Sequence, residues 1–343
     1  MGCNARRSML VKDGSHGYPR QSVGIGNLGT LLVNQLRQFS VAKHRPGVEA
    51  SALLFALAGF ALLSVGDAVV KSMAGLWPGL AIAALRYVAG TIGLGVALAL
   101  REGRAGFRMA RPGWQLLRGG GVAMSAMAFF TALFLMPIAT ATAISFTSPM
   151  ITGLLAALIL REPMRRATWI ASAFAFAGVL IVLRPNLATL GVVAFLPLLS
   201  ATGMALLMIG NRAVAGHASA LAMQFSVAFF ATLILVPAAI IGHFSGVPML
   251  HVGVPEGSVA ARSVLIACSA SAAHTLVYMA TTRAGAATIA PMTYVQLLMA
   301  GFFGWLLFSE RPDATALFGA GIIVAAGLYL WNAGRAEAPP RPG

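Results

Sequence analysis

The sequence predicts an all-α polytopic membrane protein, with ten transmembrane helices arranged as two inverted five-helix repeats. Three observations predict it. Apolar runs follow one another from about Ser51 to Trp331, with only short polar joints between them. Hydrophobic residues make up 58% of the chain and charged residues 10%, too little charge to cover a soluble domain of this length. The second half of the chain also echoes the first, motif by motif.

A helix crosses a bilayer with about 20 apolar residues at a rise of about 1.5 Å each. The runs that meet this length are 51–70, 77–99, 114–136, 138–160, 167–183, 188–210, 218–241, 262–282, 286–308 and 314–332. Residues 1–49 are Gly-rich and basic, with no apolar run of signal-peptide length and one weakly amphipathic patch at Leu28–Phe39. They read as a disordered basic cytoplasmic tail. Residues 333–343, with Pro339, Pro340 and Pro342, read as a second disordered tail.

Charge gives the expected orientation. With both termini in the cytoplasm, 19 of the 24 Lys and Arg fall on the inner side. Lys71, Arg184, Arg262 and Arg311 fall outside, and Arg86 lies within a span. This is the positive-inside pattern. The net charge of +15 is therefore a topology signal with some attraction to anionic lipid, and it does not mark a nucleic-acid partner, because the basic joints are short and lack interleaved aromatics. Cys3 sits in a tail and Cys268 in a span, which argues against a structural disulfide. The six histidines are scattered, so neither a metal nor a cofactor is expected. The expected partners are the lipid bilayer and a small-molecule substrate, with the chain a monomer or homodimer.

The repeat is read most clearly in the fourth and fifth spans against the ninth and tenth. Ala-Thr-Ala-Ile-Ser-Phe from Ala141, Gly153, Arg161-Glu162-Pro163 and Gly178 recur as Ala-Thr-Ile-Ala-Pro-Met from Ala287, Gly301, Glu310-Arg311-Pro312 and Gly327. The offset is 148 residues at Gly153 and 149 at Gly178, with one insertion at Arg311. Weaker echoes pair Leu85-Arg86-Tyr87 with Met223-Gln224-Phe225, and Lys71–Gly75 with Arg212–Gly216. The copies span 50–184 and 185–332. Each holds an odd number of spans, so the second enters the membrane with opposite orientation. Inverted repeats are the architecture of alternating-access carriers, which hold substrate near the midplane between the halves.

These residues carry a family likeness. The ordered series Leu85-Arg86-Tyr87, Ala143–Pro149, Leu160–Pro163 with Gly178, and Glu310-Arg311-Pro312 with Gly327 resembles the EamA-type transporters of the drug/metabolite transporter superfamily over residues 51–332. The long basic N-terminal segment departs from that pattern. The resemblance implies a bacterial inner-membrane carrier of small organic metabolites, amino acids or related compounds. Within the family the Ala-Ile-Ser-Phe-Thr-Ser-Pro run and the Arg165-Arg166…Trp169 joint look most like proteobacterial members, which include importers of S-adenosylmethionine and of riboflavin.

Arg86 lies about nine residues into the second span, where a charge costs about 3 kcal/mol or more. Two readings stand side by side: a guanidinium that clamps a substrate carboxylate or phosphate, or a permanent ion pair with Asp67. Asp67 also reads as a carrier of a coupling proton, or as a partner of Lys71 one turn on. His274 lies near the middle of span eight, with a titratable range suited to proton or substrate contact. Tyr278 shares its face, and Phe130 is the repeat counterpart of Tyr278. Tyr87, Tyr294, Gln296 and Gln224 complete a set that suits stacking and hydrogen bonding to an amphipathic solute, or plain helix packing. Pro149 and Pro291 are expected helix breaks. Glu162 and Glu310 read as first-turn acids of the helices that follow them. Gly153…Ala157 and Ala173…Ala177 read as packing seams.

The chain contains no phosphate-binding P-loop, so ATP is not its direct energy source. A membrane-embedded transferase needs a His, Asp or Glu cluster at the membrane face, which the joints do not supply, and the chain is not expected to be an enzyme. A channel remains the rival reading from another class.

Overall fold

The computed structural model describes residues 46–159, 161, 166–214, 217–284 and 289–336. Contacts divide the chain into Met1–Pro46 and Gly47–Gly343, and the helices below belong to the second unit, apart from Pro46 at the start of the first helix. Among the described residues there are helices and no strands. Nine helical stretches among the described residues are long and apolar enough to cross a membrane, and Tyr294–Phe308 is a shorter tenth.

In chain order, α1 is Pro46–Lys71, α2 Gly79–Gly106 and α3 Pro112–Leu135. The fourth span is split into α4, Ile138–Ser145, and α5, Ser148–Ile159. Then come α6 Arg166–Leu190, a 3₁₀ turn Gly191–Phe195, α7 Leu196–Val214 and α8 Ala220–Phe244. A short 3₁₀ turn at Pro248–Leu250 precedes α9, Gly257–Ala284. A 3₁₀ turn at Ala290–Thr293 leads into α10, Tyr294–Phe308, and α11 is Ala314–Ala336. Two expected boundaries move. Helix α1 starts at Pro46, inside the segment read as tail, and α11 runs past the expected end at 332.

The exterior is apolar, as lipid contact requires: Leu100 is 82% exposed, Leu158 76% and Leu298 72%. The interior is built largely from small residues. Buried Ala recurs through every layer, joined by buried Ser64, Ser125, Thr140, Thr142, Ser200 and Ser226. In lipid there is no hydrophobic drive to bring helices together, so close backbone approach and interhelical hydrogen bonds hold the bundle.

The tightest backbone-to-backbone approaches join the two halves. A Cβ on Gly121 of α3 would lie 2.6 Å from the Gly203 carbonyl oxygen of α7, and one on Gly203 would collide with the Gly121 carbonyl. Beside this crossing Ser125 and Ser200 share a hydroxyl hydrogen bond at 2.9 Å. Helices α6 and α11 cross in the same way: a Cβ on Gly178 would stand 2.8 Å from the Gly319 oxygen, and one on Gly319 would stand 2.7 Å from the Gly178 oxygen. Helices α2 and α8 meet through Thr91 and Thr232, whose hydroxyl oxygens are 2.9 Å apart. Both α2–α8 and α6–α11 are pairs of repeat-related spans, so the halves interlock through their counterparts.

The small-residue seams shift by a notch from expectation. Gly153 does pack on α6, where its Cβ would collide with the Thr168 methyl. Ala173 and Ala177 are exposed, and Ala171, Ala175 and Gly178 form the buried edge of α6 instead.

The expected break at Pro149 also moves. The fourth span opens at Phe146 and Thr147. The Phe146 N–H donates to the Thr142 and Ala143 carbonyls at 3.2 Å, and the Thr147 carbonyl accepts from Met150 at 3.0 Å and Ile151 at 3.1 Å. Pro149 is the second residue of α5, where its missing N–H is an orphan donor in any helix. The ninth span changes its winding at the equivalent place, between Thr293 and Tyr294. Its 15-residue helix rises only about 22 Å, and the preceding 3₁₀ turn adds about 8 Å, enough for the hydrocarbon core. The backbone of Pro291 lies in that turn.

Candidate functional site

The irregular joints of spans four and nine lie against each other. Phe146 and Tyr294 stand 148 positions apart in sequence, the repeat offset at Gly153 and Gly301. Their rings meet edge to face at 5.5 Å. The Tyr294 hydroxyl is pressed against the Cα of Gly327 on α11, which explains the glycine there. Its phenol therefore packs between α10 and α11.

A polar cluster joins α1 to α10. Asp67 lies one turn before the end of α1. Its Oδ2 accepts a hydrogen bond from Gln296 Nε2 at 2.9 Å, and Ser64 Oγ donates to the Gln296 carbonyl at 3.3 Å. Ser64 and Asp67 are three residues apart on one helix face, so both reach the same residue of α10. Gln296 uses its side-chain amide and its backbone carbonyl on α1, which fixes its orientation. Asp67 forms no ion pair with Arg86 or Lys71 among the described residues. The permanent Asp67–Arg86 pair, and the helical Asp67–Lys71 pair, are both replaced by this amide contact.

Arg86 faces the cluster from α2. Gly79 lets the start of α2 pass against α3, with its Cβ position 3.3 Å from the Phe130 backbone. The Arg86 guanidinium then lies over two rings, 5.3 Å from the Tyr87 centroid and 5.5 Å from that of Phe130. These contacts hold a cation by its flat faces and leave its N–H edge free. Among the described residues the guanidinium has no hydrogen-bond or ion-pair partner. Its charge acts on both Asp67 and His274. His274 is exposed on α9, which packs against α1 and α2.

The set from the sequence thus divides. Arg86, Tyr87, Phe130, Asp67, Gln296 and His274 converge on one region. Tyr294 belongs to the packing beside it, and Gln224 is exposed on α8. The side chains of Tyr278 and Pro291 and the whole of Glu162 lie outside the described residues. Ser64 and Phe146 are additions. The sequence carries a signal for each: Ser64 is a polar residue one turn before Asp67, and Phe146 is the repeat counterpart of Tyr294.

Glu310 has a role other than the one expected. It does not serve the first turn of α11, where Asp313 caps the helix by accepting from the Ala316 N–H at 2.7 Å. Instead Glu310 Oε1 pairs with Lys71 Nζ at 2.5 Å, and Oε2 accepts from the Ile138 N–H at 2.9 Å. Lys71 Nζ also donates to the Met136 carbonyl at 2.6 Å. At the opposite face Arg118 is buried among Gln115, Asn211 and Met223. It donates to Asn211 Oδ1 at 2.7 Å and to Gln115 Oε1, with no carboxylate beside it among the described residues. No group of three or more possible metal ligands occurs among the described residues.

The profile of the EamA-like transporter family matches the chain twice, over residues 50–184 and 190–332. The chain belongs to the EamA-like transporter family. It is a transporter, a multi-pass membrane protein, and not an enzyme. An S-adenosylmethionine uptake transporter of Rickettsia bellii is 27% identical over 66% of this chain and 75% of its own length. A riboflavin transporter of Brucella anthropi is 25% identical over 81% of this chain and 96% of its own. A riboflavin transporter of Rhizobium johnstonii is 29% identical over 70% and 77%. A crystal structure of a protein superposes with a TM-score of 0.54 over 82% of this chain and 97% of its own, at 19% identity, a likeness of fold.

Proposed function

We propose that this transporter is a secondary carrier of a small organic metabolite bearing an acidic group, an amino acid or a related compound, across a bacterial inner membrane by alternating access. The observation that supports the reading most is the unpartnered Arg86 guanidinium, stacked on Tyr87 and Phe130 and opposite an Asp67 that Gln296 already holds. A bare cation at this depth is costly, and an anionic solute repays that cost by a charge-assisted, bidentate contact. The carboxylate of Asp67 suits a cationic or proton-donating end of the same solute, or a coupling proton. In this reading His274 adds a titratable group to the same site.

The positive-inside distribution supports an orientation with both termini in the cytoplasm and the Lys71 end of α1 outside. The similarity to S-adenosylmethionine and riboflavin transporters favours cofactor-type metabolites as a second reading, since both relatives match over most of the membrane part. Uptake of labelled amino acids, S-adenosylmethionine and riboflavin into proteoliposomes tests both. Saturable flux that Arg86→Ala reduces supports the carrier, and the solute that saturates it chooses between the readings. Conductance without saturation refutes it in favour of a channel.

A further inference from the structure

We infer that Lys71 and Glu310 form a latch that closes the Arg86–Asp67 site toward the face where α1 ends. The inference rests on the carrier reading above.

The latch joins the same two helices that meet in the site. Asp67 and Lys71 lie one turn apart on α1. Gln296 lies in the first turn of α10, and Glu310 follows its end after Ser309, which adopts the left-handed conformation at φ 55°. That turn directs Glu310 back along the helix, where its N–H bonds to the Gly304 carbonyl at 2.9 Å. The carboxylate therefore returns to a level between the site and the helix end, where Lys71 Nζ meets it at 2.5 Å. Both side chains are largely shielded, 10% and 15% exposed. The Phe308 ring lies 5.6 Å from the ammonium.

A third element completes the closure. The Glu310 carboxylate accepts from the first N–H of α4, and the Lys71 ammonium donates to the Met136 carbonyl just before it. The pair thus binds α1, α10 and the entrance of the broken fourth span at one point. A permanent structural pair gains little from such burial, because desolvation offsets the Coulombic attraction. A pair that separates into water when the face opens suits two states of similar free energy. Arg262 of α9 adds a second tie on this face, donating to the Ser72 carbonyl at 3.2 Å.

The test uses the full chain with Cys3→Ser and Cys268→Ser, and His274→Cys as reporter in the site. A membrane-impermeant maleimide is applied to the Lys71 face in sealed cells and to the opposite face in inverted vesicles. Lys71→Met with Glu310→Gln removes both charges together, so no lone buried charge is left to unfold the bundle. The latch predicts labelling from the Lys71 face faster by about tenfold, equal to about 1.4 kcal/mol between closed and open states, and unchanged or slower labelling from the opposite face. Unchanged labelling from the Lys71 face in protein that elutes as a single species overturns it. Separately, Lys71→Cys with Glu310→Cys, on the same cysteine-free chain with His274 intact, is bridged by a short thiol-reactive cross-linker that a reductant cleaves. Loss of uptake that reduction restores supports the latch, and full uptake through the bridged protein overturns it. If the unbridged protein shows no saturable uptake while the labelling shift is present, the carrier reading fails and the latch stands as a closure of the cavity alone.

Discussion

The two charged residues of the site are held in opposite ways. Asp67 is tied by an amide that has no other use for its side chain, while Arg86 is supported on two ring faces and keeps its donors unspent. Arg86→Ala is expected to lower kcat/KM for an acidic solute by about tenfold to a hundredfold, the worth of a charge-assisted hydrogen bond, with normal protein yield. Arg86→Lys is expected to recover little of that loss, since an ammonium lacks the planar fork and stacks poorly. Transport assays in proteoliposomes measure both. Gln296→Leu removes the donor to Asp67 and strands a carboxylate oxygen, so a thermal unfolding curve in detergent should show a loss of about 1–3 kcal/mol.

At the scale of the helix, glycine positions separate into those that carry a crossing and those that do not. Gly203→Val forces its side chain into the Gly121 carbonyl, and a destabilisation of about 1–3 kcal/mol is expected from overpacking. Gly301→Ala meets open space within 4 Å and should leave stability equal or higher, because alanine favours the helix by about 1 kcal/mol. Differential scanning fluorimetry on the two variants distinguishes them directly. Pro149→Ala should be close to neutral in the same assay. The fourth span opens two residues earlier, and a first-turn proline deletes no helical hydrogen bond.

At the scale of the molecule, the span count, the duplication and the membrane class were legible because each rests on many residues at once. Individual contacts were not read from the sequence, although two of them left a signal there. The Ser64–Asp67 spacing places both groups on one face, and the offset between Phe146 and Tyr294 pairs them across the repeat. Lys71 and Glu310 lie 239 positions apart, and nothing near either one names the other. The Ala173…Ala177 seam fails for a related reason: in a helix apolar all round, hydrophobic periodicity does not choose a face, and only the neighbour α11 selects Ala171 and Ala175. Because repeat-related helices interlock, residues 1–184 and 185–343 expressed as separate chains in one cell should associate. Affinity purification through a tag on the first piece should recover the second, and Gly203→Val should lower the yield.

The buried Arg118 has a consequence for biosynthesis. Its partners Asn211 and Met223 belong to α7 and α8, so a ribosome that has delivered only the first five spans leaves this guanidinium facing hydrocarbon. The half-made protein must keep α3 beside the insertion machinery, or shifted toward the aqueous border, until about forty further residues emerge and draw it inward.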